Sequence, residues 1–280
     1  MTLRARYVAE GYTGGLHQSP FRGASLEFAQ HRQYAPGDEL KYIDWKIFAR
    51  TDRYYVKQFQ EETNLRGYSI IDTSSSMGYT SSDVTKLEYA TYLSAAITYL
   101  MIKQHDSAGL ITFGDSIGDF IPPRNFSAHL QHVLEKLDGL RPSGRTDFHK
   151  SFDHIGKRIT KRSLLVVFSD LLEDTDILTK ALKFFPYLKN DLIVFHILDP
   201  EEINFRQSGP VEYHDMETRG RVRTYPEIIR KEYRKNIKAY LKNIELNLRS
   251  HNIDYCRITT DMTLDKALSK FMEGRKKILI

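Results

Sequence analysis

Tyr68-Ser69-Ile70-Ile71-Asp72-Thr73-Ser74-Ser75-Ser76 is the stretch that decides how this chain is read. Its apolar opening predicts a short buried strand, and the Asp-Thr-Ser-Ser-Ser that follows opens into a loop. Asp72, Ser74 and Ser76 stand at alternate positions, so one carboxylate and two hydroxyls can converge on a single small cation. Mg²⁺ favours such hard oxygen ligands in near-octahedral geometry, with positions left for water or an incoming group. The carboxyl ends of strands in an open α/β sheet are also where ligands bind. A Ser-rich polar turn after a strand has the same look, so the loop by itself leaves both readings open.

Two later segments tip the balance. Gly144-Arg145-Thr146-Asp147 precedes a helical pattern and offers another hydroxyl, and Ser163-Leu164-Leu165-Val166-Val167-Phe168-Ser169-Asp170 is an apolar strand ending in a carboxylate. Asp72, Ser74, Ser76, Thr146 and Asp170, in that order, resemble the metal-ion-dependent adhesion site of von Willebrand factor A domains. Upstream lie Glu27-Phe28, Arg32-Gln33-Tyr34-Ala35-Pro36-Gly37-Asp38, Ile43-Asp44-Trp45 and Ala49-Arg50. Together with the loop after them, they resemble the signature of the bacterial domain-of-unknown-function 58 family, from about Gly15 to at least Asp170. Two positions depart from the A-domain pattern. Arg145 stands where a second glycine is usual, and Asp170 is followed by Leu171-Leu172 rather than glycine. Neither removes a ligand, and Arg145 is expected to narrow access to the metal or to add a contact of its own.

Strands and helices alternate after residue 66. Leu87, Ala90, Leu93, Ile97, Leu100 and Met101 give Lys86 to Gln104 the spacing of a core-facing helix. Ala108 to Phe113 reads as a strand that turns at Gly114-Asp115 into Ile117 to Ile121, where Pro122-Pro123 should end it. Helices are predicted over Phe126 to Leu137, Phe148 to Ile159 and Ile177 to Phe185, the last ended by Pro186. Buried strands are predicted over Leu164 to Phe168, Leu192 to Leu198 and Ile253 to Ile258. Gly209 to Asp215 and Arg221 to Tyr225 suit an edge hairpin. Pro226 to Arg249 forms a long helix with Ile229, Tyr233, Ile237, Leu241, Ile244 and Leu248 on one stripe, and Leu264 to Met272 is a closing helix. Continuous apolar strands between helices imply an α/β fold: a doubly wound, mostly parallel sheet covered on both faces. The expected organisation is this von Willebrand factor A-like domain over residues 66–280, with a family-specific N-terminal extension, 1–65, packed on it. Within the extension, Tyr34 to Asp38 has tight-turn chemistry and Tyr54 to Phe59 reads as a strand. Trp45 and Arg50 should help fix it, and Asp38, Asp44 and Arg50 should make internal hydrogen bonds or ion pairs.

At 280 residues, 41% hydrophobic and 28% charged, the chain can bury one sizeable core. No stretch approaches the roughly 20 apolar residues that span a bilayer, and the N-terminus carries no apolar signal region, so a cytoplasmic location is expected. Cys256, the single cysteine, reads as a buried inert thiol. The net charge is +5 and the pI about 9.0. From Arg219 to Arg249 ten Lys/Arg face three Glu, but Lys231, Arg234, Lys235, Lys238 and Lys242 are rotated away from the apolar stripe. They read as a solvated face, and no nucleic-acid-binding motif accompanies them.

No phosphate loop, nucleophile elbow or His-Glu-x-x-His pair is present, so no catalytic residue is assigned. His149 and His154 lie five apart and fall on different faces of their helix. A hydroxyl-rich Mg²⁺ or Mn²⁺ site is a poor generator of metal hydroxide, whereas a vacant position on such an ion readily takes a carboxylate. The expected function is a metal-dependent protein-interaction module whose partner supplies a Glu or Asp. The family resemblance implies that partner to be a MoxR-class AAA+ ATPase or its client, with this chain as an adaptor in protein-complex remodelling or assembly. One alternative is a Mg²⁺-dependent phosphohydrolase using Asp72, though acyl-phosphate phosphatases want a second carboxylate where Ser74 stands. The other is a structural A-like domain with a vestigial site.

Overall fold

A computed structural model describes residues 24–35, 43–63, 65–216 and 220–277. The chain divides into two compact units, one spanning Gln18–Leu65 and a larger one running on from Arg66.

In the smaller unit, β1 (Ala24–Gln33) pairs antiparallel with β2 (Tyr55–Thr63), with a register shift between Phe28 and Gln30. Between them runs α1 (Trp45–Thr51), which begins where the Asp44 carboxylate accepts from the backbone N–H groups of Lys46 (2.9 Å) and Ile47 (3.3 Å). Asp44 thus makes the internal hydrogen bonds expected of it. Tyr54 stacks on Phe48 at 4.4 Å between ring centroids. Trp45 is 60% exposed and meets Phe48 edge-on, and Arg50 is exposed. Pro36, Gly37 and Asp38 lie outside the described residues. Neither β1 nor α1 is among the predicted elements: α1, at seven residues, is too short to show a helical stripe, and the alternation of β1 over Ala24 to Phe28 gives way to polar residues beyond it.

The larger unit contains β3 (Arg66–Asp72), α2 (Lys86–Lys103), β4 (Ser107–Phe113), β5 (Ile117–Arg124), α3 (Ser127–Gly139), α4 (Phe148–Arg158) and β6 (Leu164–Ser169). It continues through α5 (Thr175–Leu182), α6 (Phe184–Tyr187), β7 (Asp191–Leu198), α7 (Pro200–Asn204), β8 (Val211–His214), β9 (Arg221–Thr224), α8 (Pro226–Ser250), β10 (Asp254–Thr259) and α9 (Leu264–Lys277). Six strands form one sheet in the order β10-β7-β6-β3-β4-β5. All neighbours are parallel except β5, which returns antiparallel to β4 through a three-residue turn. This is the doubly wound, mostly parallel sheet that the sequence predicts, with β3 in the interior between β6 and β4.

Alternation sorts the side chains. Tyr68, Ile70, Ile111, Phe113, Leu165, Val167, Leu192 and Val194 share one buried cluster with Phe148, Phe152 and Ile155 of α4, Leu178 and Leu182 of α5, and Ile244 and Leu248 of α8. The intervening strand residues, including Ile71, Leu110, Val166, Phe168 and Phe195, are equally buried. They face the layer of α2, which contacts β3, β4, α3 and α9. Each strand is therefore covered twice, which explains its unbroken apolar run.

Several boundaries differ from expectation. β5 runs through Pro122 and Pro123 rather than stopping there, because an edge strand can point proline nitrogens away from the ladder. The helix predicted up to Phe185 breaks at Lys183, and Pro186 falls inside the short α6. Of the α8 stripe only Leu241, Ile244 and Leu248 are buried, while Ile229 is 37% exposed. Arg234, expected on the solvated face, is half-buried and donates to the Asn204 carbonyl at 2.5 Å. Cys256 is half-buried, on the edge strand β10. The expected hairpin forms from β8 and β9 as a separate two-stranded sheet. Among the described residues no helix is long and apolar enough to cross a membrane.

Candidate functional site

β3 ends at Asp72, whose side chain is completely buried. One carboxylate oxygen, Oδ1, accepts from the Ser74 backbone N–H (2.9 Å) and the Thr146 hydroxyl (2.8 Å). The other, Oδ2, accepts from the Ser169 hydroxyl at 2.7 Å. A 3₁₀ turn over Ser75–Gly78 then folds the chain back, and it brings the Ser74 and Ser76 hydroxyls to 3.0 Å from each other. Both serines are buried.

Thr146 arrives from a loop stitched to the Asp72 loop by backbone bonds. Ser143 N–H donates to the Thr73 carbonyl (2.7 Å) and Ser75 N–H to that of Gly144 (3.0 Å), while Asp147 N–H donates to the Gly114 carbonyl in the β4–β5 turn (2.9 Å). Gly144 makes the required bend at φ +71°, a conformation costly for any residue with a Cβ. Asp147 then caps α4 by accepting from Lys150 N–H at 2.8 Å. The predicted loop and helix start are thus one device that aims Thr146 at Asp72. Arg145, next to it, is exposed.

Asp170 follows β6, the strand paired with β3 in register Ile71↔Phe168. Its carboxylate is buried against a residue the sequence reading passed over. The Lys86 ammonium sits 2.7 Å from Asp170 Oδ2 and 2.6 Å from Glu202 Oε1, with no exposed side-chain surface. The structure therefore bonds the Thr146 hydroxyl and the Ser74 N–H to Asp72 and pairs the Ser74 and Ser76 hydroxyls with each other, and it places Asp170 on the neighbouring strand end, engaged by an internal cation. One sequence signal pointed to Lys86. It is the first residue of α2, where the helix dipole disfavours a cation. Ser169, equally overlooked, is a hydroxyl closing an otherwise apolar strand.

The electrostatics follow from burial. Burial, with the negative charge of Asp170 adding to it, pushes the Asp72 carboxyl up to about 6, against the lowering effect of its three donors. Burial also pulls the Lys86 ammonium down, but Asp170 and Glu202 together outweigh that and hold it above its ordinary value. Glu202 is raised by burial even though Lys86 lowers it. His196, on β7, is fully buried and pulled down to about 4, so it is neutral at pH 7, and its Nδ1 lies 2.8 Å from the Tyr255 hydroxyl.

Among the described residues no group of three or more His, Cys, Asp or Glu side chains could hold a metal. His149 and His154 are both exposed on α4. The donor set around Asp72 is its carboxylate, the Thr146 hydroxyl bonded to it and the Ser74–Ser76 hydroxyl pair that follows it in the chain, all hard oxygens. It fits Mg²⁺ or Mn²⁺ better than Ca²⁺, which takes more oxygens and more charge.

The family described as "Protein of unknown function DUF58" matches residues 30–242. The uncharacterized protein Rv1480 of Mycobacterium tuberculosis is 22% identical over 282 aligned residues, which cover 99% of this chain and 88% of the relative. Among solved structures, BatB from Bacteroides thetaiotaomicron aligns with a TM-score of 0.52 at 15% identity, covering 76% of this chain and 99% of that one. An aerotolerance-related membrane protein from Bacteroides fragilis aligns with a TM-score of 0.53 at 14% identity over the same shares. At these identities the two structures are alike in fold.

Proposed function

Because the chain belongs to the DUF58 family, we propose that it is a metal-dependent protein-interaction module acting as an adaptor for a MoxR-class AAA+ ATPase or its client. The observation that carries this reading is the buried Asp72 carboxylate with the Thr146 hydroxyl and the Ser74 N–H bonded to it and the paired Ser74 and Ser76 hydroxyls beside it in the chain. Asp72 would hold Mg²⁺ or Mn²⁺ with those hydroxyls, while Asp170 would act on the ion from the adjoining strand. Once bound, the ion supplies a Lewis-acidic position that accepts a carboxylate from a partner. The chain's own residues set the geometry. Ser169 and the Ser74 N–H fix the rotamer of Asp72, and the bonds between the two loops hold Thr146 at a constant distance from it.

The phosphohydrolase alternative draws less support. Both Asp72 oxygens are occupied by hydrogen-bond donors, which blunts nucleophilicity, and Ser74 stands where a second carboxylate would be needed. The test is affinity capture from native lysate by wild-type protein in Mg²⁺ and in EDTA, with Asp72→Ala alongside. A MoxR-class ATPase or a client should be retained by wild type in Mg²⁺, released by EDTA and missed by the variant. Equal retention under all three conditions would refute the metal bridge. Phosphatase turnover abolished by Asp72→Ala would favour the enzyme.

A further inference from the structure

We infer that Lys86 is the specificity-determining countercharge of this site: by neutralising Asp170 it leaves a bound divalent cation electron-poor enough to take a carboxylate from outside. The inference rests on the metal-site reading above and deepens it by assigning who sets the charge of the centre.

Lys86 has no exposed side-chain surface, and its ammonium lies 2.7 Å from Asp170 and 2.6 Å from Glu202. A lysine is almost never buried so completely unless its charge is matched. Its position is also fixed at three points. Thr85 begins α2 with a reciprocal capping box to Glu88. Glu202 Oε2 accepts from the Asp199 N–H (2.7 Å) at the start of α7, and Tyr233 of α8 donates to the Glu202 carbonyl (2.7 Å). Asp199 in turn accepts from Ser81 N–H (2.8 Å) and Ser81 Oγ (2.5 Å). The ammonium is therefore held by α2 on one side and by α7 and its supports on the other.

Charge counting shows the consequence. A divalent cation with Asp72, Asp170, Glu202 and Lys86 sums to zero charge, whereas without Lys86 the same centre would carry one net negative charge, which would hold the cation more tightly and repel an incoming carboxylate. Glu202 is the opposing adjustment, since it draws part of the ammonium's charge away from Asp170. The centre is thus biased against tight metal retention and towards ligand capture.

The two substitutions Lys86→Met and Glu202→Gln alter this charge in opposite directions while nearly keeping side-chain size. The experiment uses the full chain stripped of metal at pH 7.5, titrated calorimetrically with Mn²⁺ alone. The Mn²⁺-loaded protein is then titrated with acetate, and coordination is followed by water-proton relaxation. Lys86→Met should bind Mn²⁺ about tenfold more tightly and acetate about tenfold more weakly than wild type, the scale set by one unit charge at several ångströms in a partly buried site. Glu202→Gln should shift both affinities the other way. If Lys86→Met does not fold, the opposite-signed shifts of Glu202→Gln carry the test. Wild-type affinities in both variants, or shifts of the same sign, would overturn the role of Lys86 while leaving the metal site standing. Failure of wild type to bind Mn²⁺ would overturn the site and this inference together.

Discussion

Asp72→Asn in metal-free protein should stabilise the larger unit at neutral pH. Asp72 is fully buried, and its carboxyl is raised from 3.8 to about 6, first by burial and then by the charge of Asp170. For a carboxyl raised on folding, the folded state binds more protons than the unfolded state between about pH 4 and 6, so stability falls as pH rises through that window and stays low above it. A shift of about 2 units corresponds to about 3 kcal/mol of folding free energy withheld at pH 7.5. Asparagine removes the charge and keeps an acceptor for Ser74 N–H and the Thr146 hydroxyl. It turns an amide towards Ser169, whose hydroxyl already accepts from Leu171 N–H at 2.9 Å, and that mismatch returns about 1 kcal/mol. The net expectation is about 2 kcal/mol of stabilisation, or a Tm rise of about 4–8 °C for a unit of this size. Urea denaturation in EDTA at pH 5.0 and 7.5 measures it, and the difference between wild type and variant should grow with pH. Mg²⁺ should narrow the gap, and reverse the ranking at hundreds of times its dissociation constant, because it stabilises wild type by about 1–3 kcal/mol at tens to hundreds of times that constant and leaves the variant unmoved. A variant destabilised at pH 7.5 in EDTA, or a difference independent of pH, would refute the electrostatic reasoning.

Two further outcomes concern the same unit. His196 is fully buried and lowered to about 4 by burial, so wild type should lose about 3 kcal/mol as pH falls from about 6.5 towards 4, opposite in sign to Asp72; His196→Gln should abolish that slope in acid denaturation curves. Gly144→Ala meets no atom within 4 Å but sits at φ +71°, so the strain alone should cost about 1 kcal/mol of stability. It should also weaken Mn²⁺ binding by displacing Thr146, as calorimetry would read.

Much of the candidate site was legible because its residues fall at strand ends and helix starts. Unbroken apolar runs at Ile70, Val166 and Val194 announced strands covered on two faces, and that architecture put Asp72 and Asp170 on adjacent strand ends. The edge behaviour of β5 was not legible, since whether Pro122 ends a strand depends on whether a neighbour lies beyond it. The same holds for the upper half of the α8 stripe, whose apolar spacing is identical whether or not another surface meets it.

By itself, the sequence determined the strand-helix alternation and the order of Asp72, Ser74, Ser76, Thr146 and Asp170, because local periodicity and strand-end chemistry are written in neighbouring residues. Only the tertiary structure decided the electrical character of the centre. Lys86 finds Asp170 84 residues away and Glu202 116 residues away. A charge interaction in a low-dielectric interior depends on distance in space, which no spacing along the chain encodes.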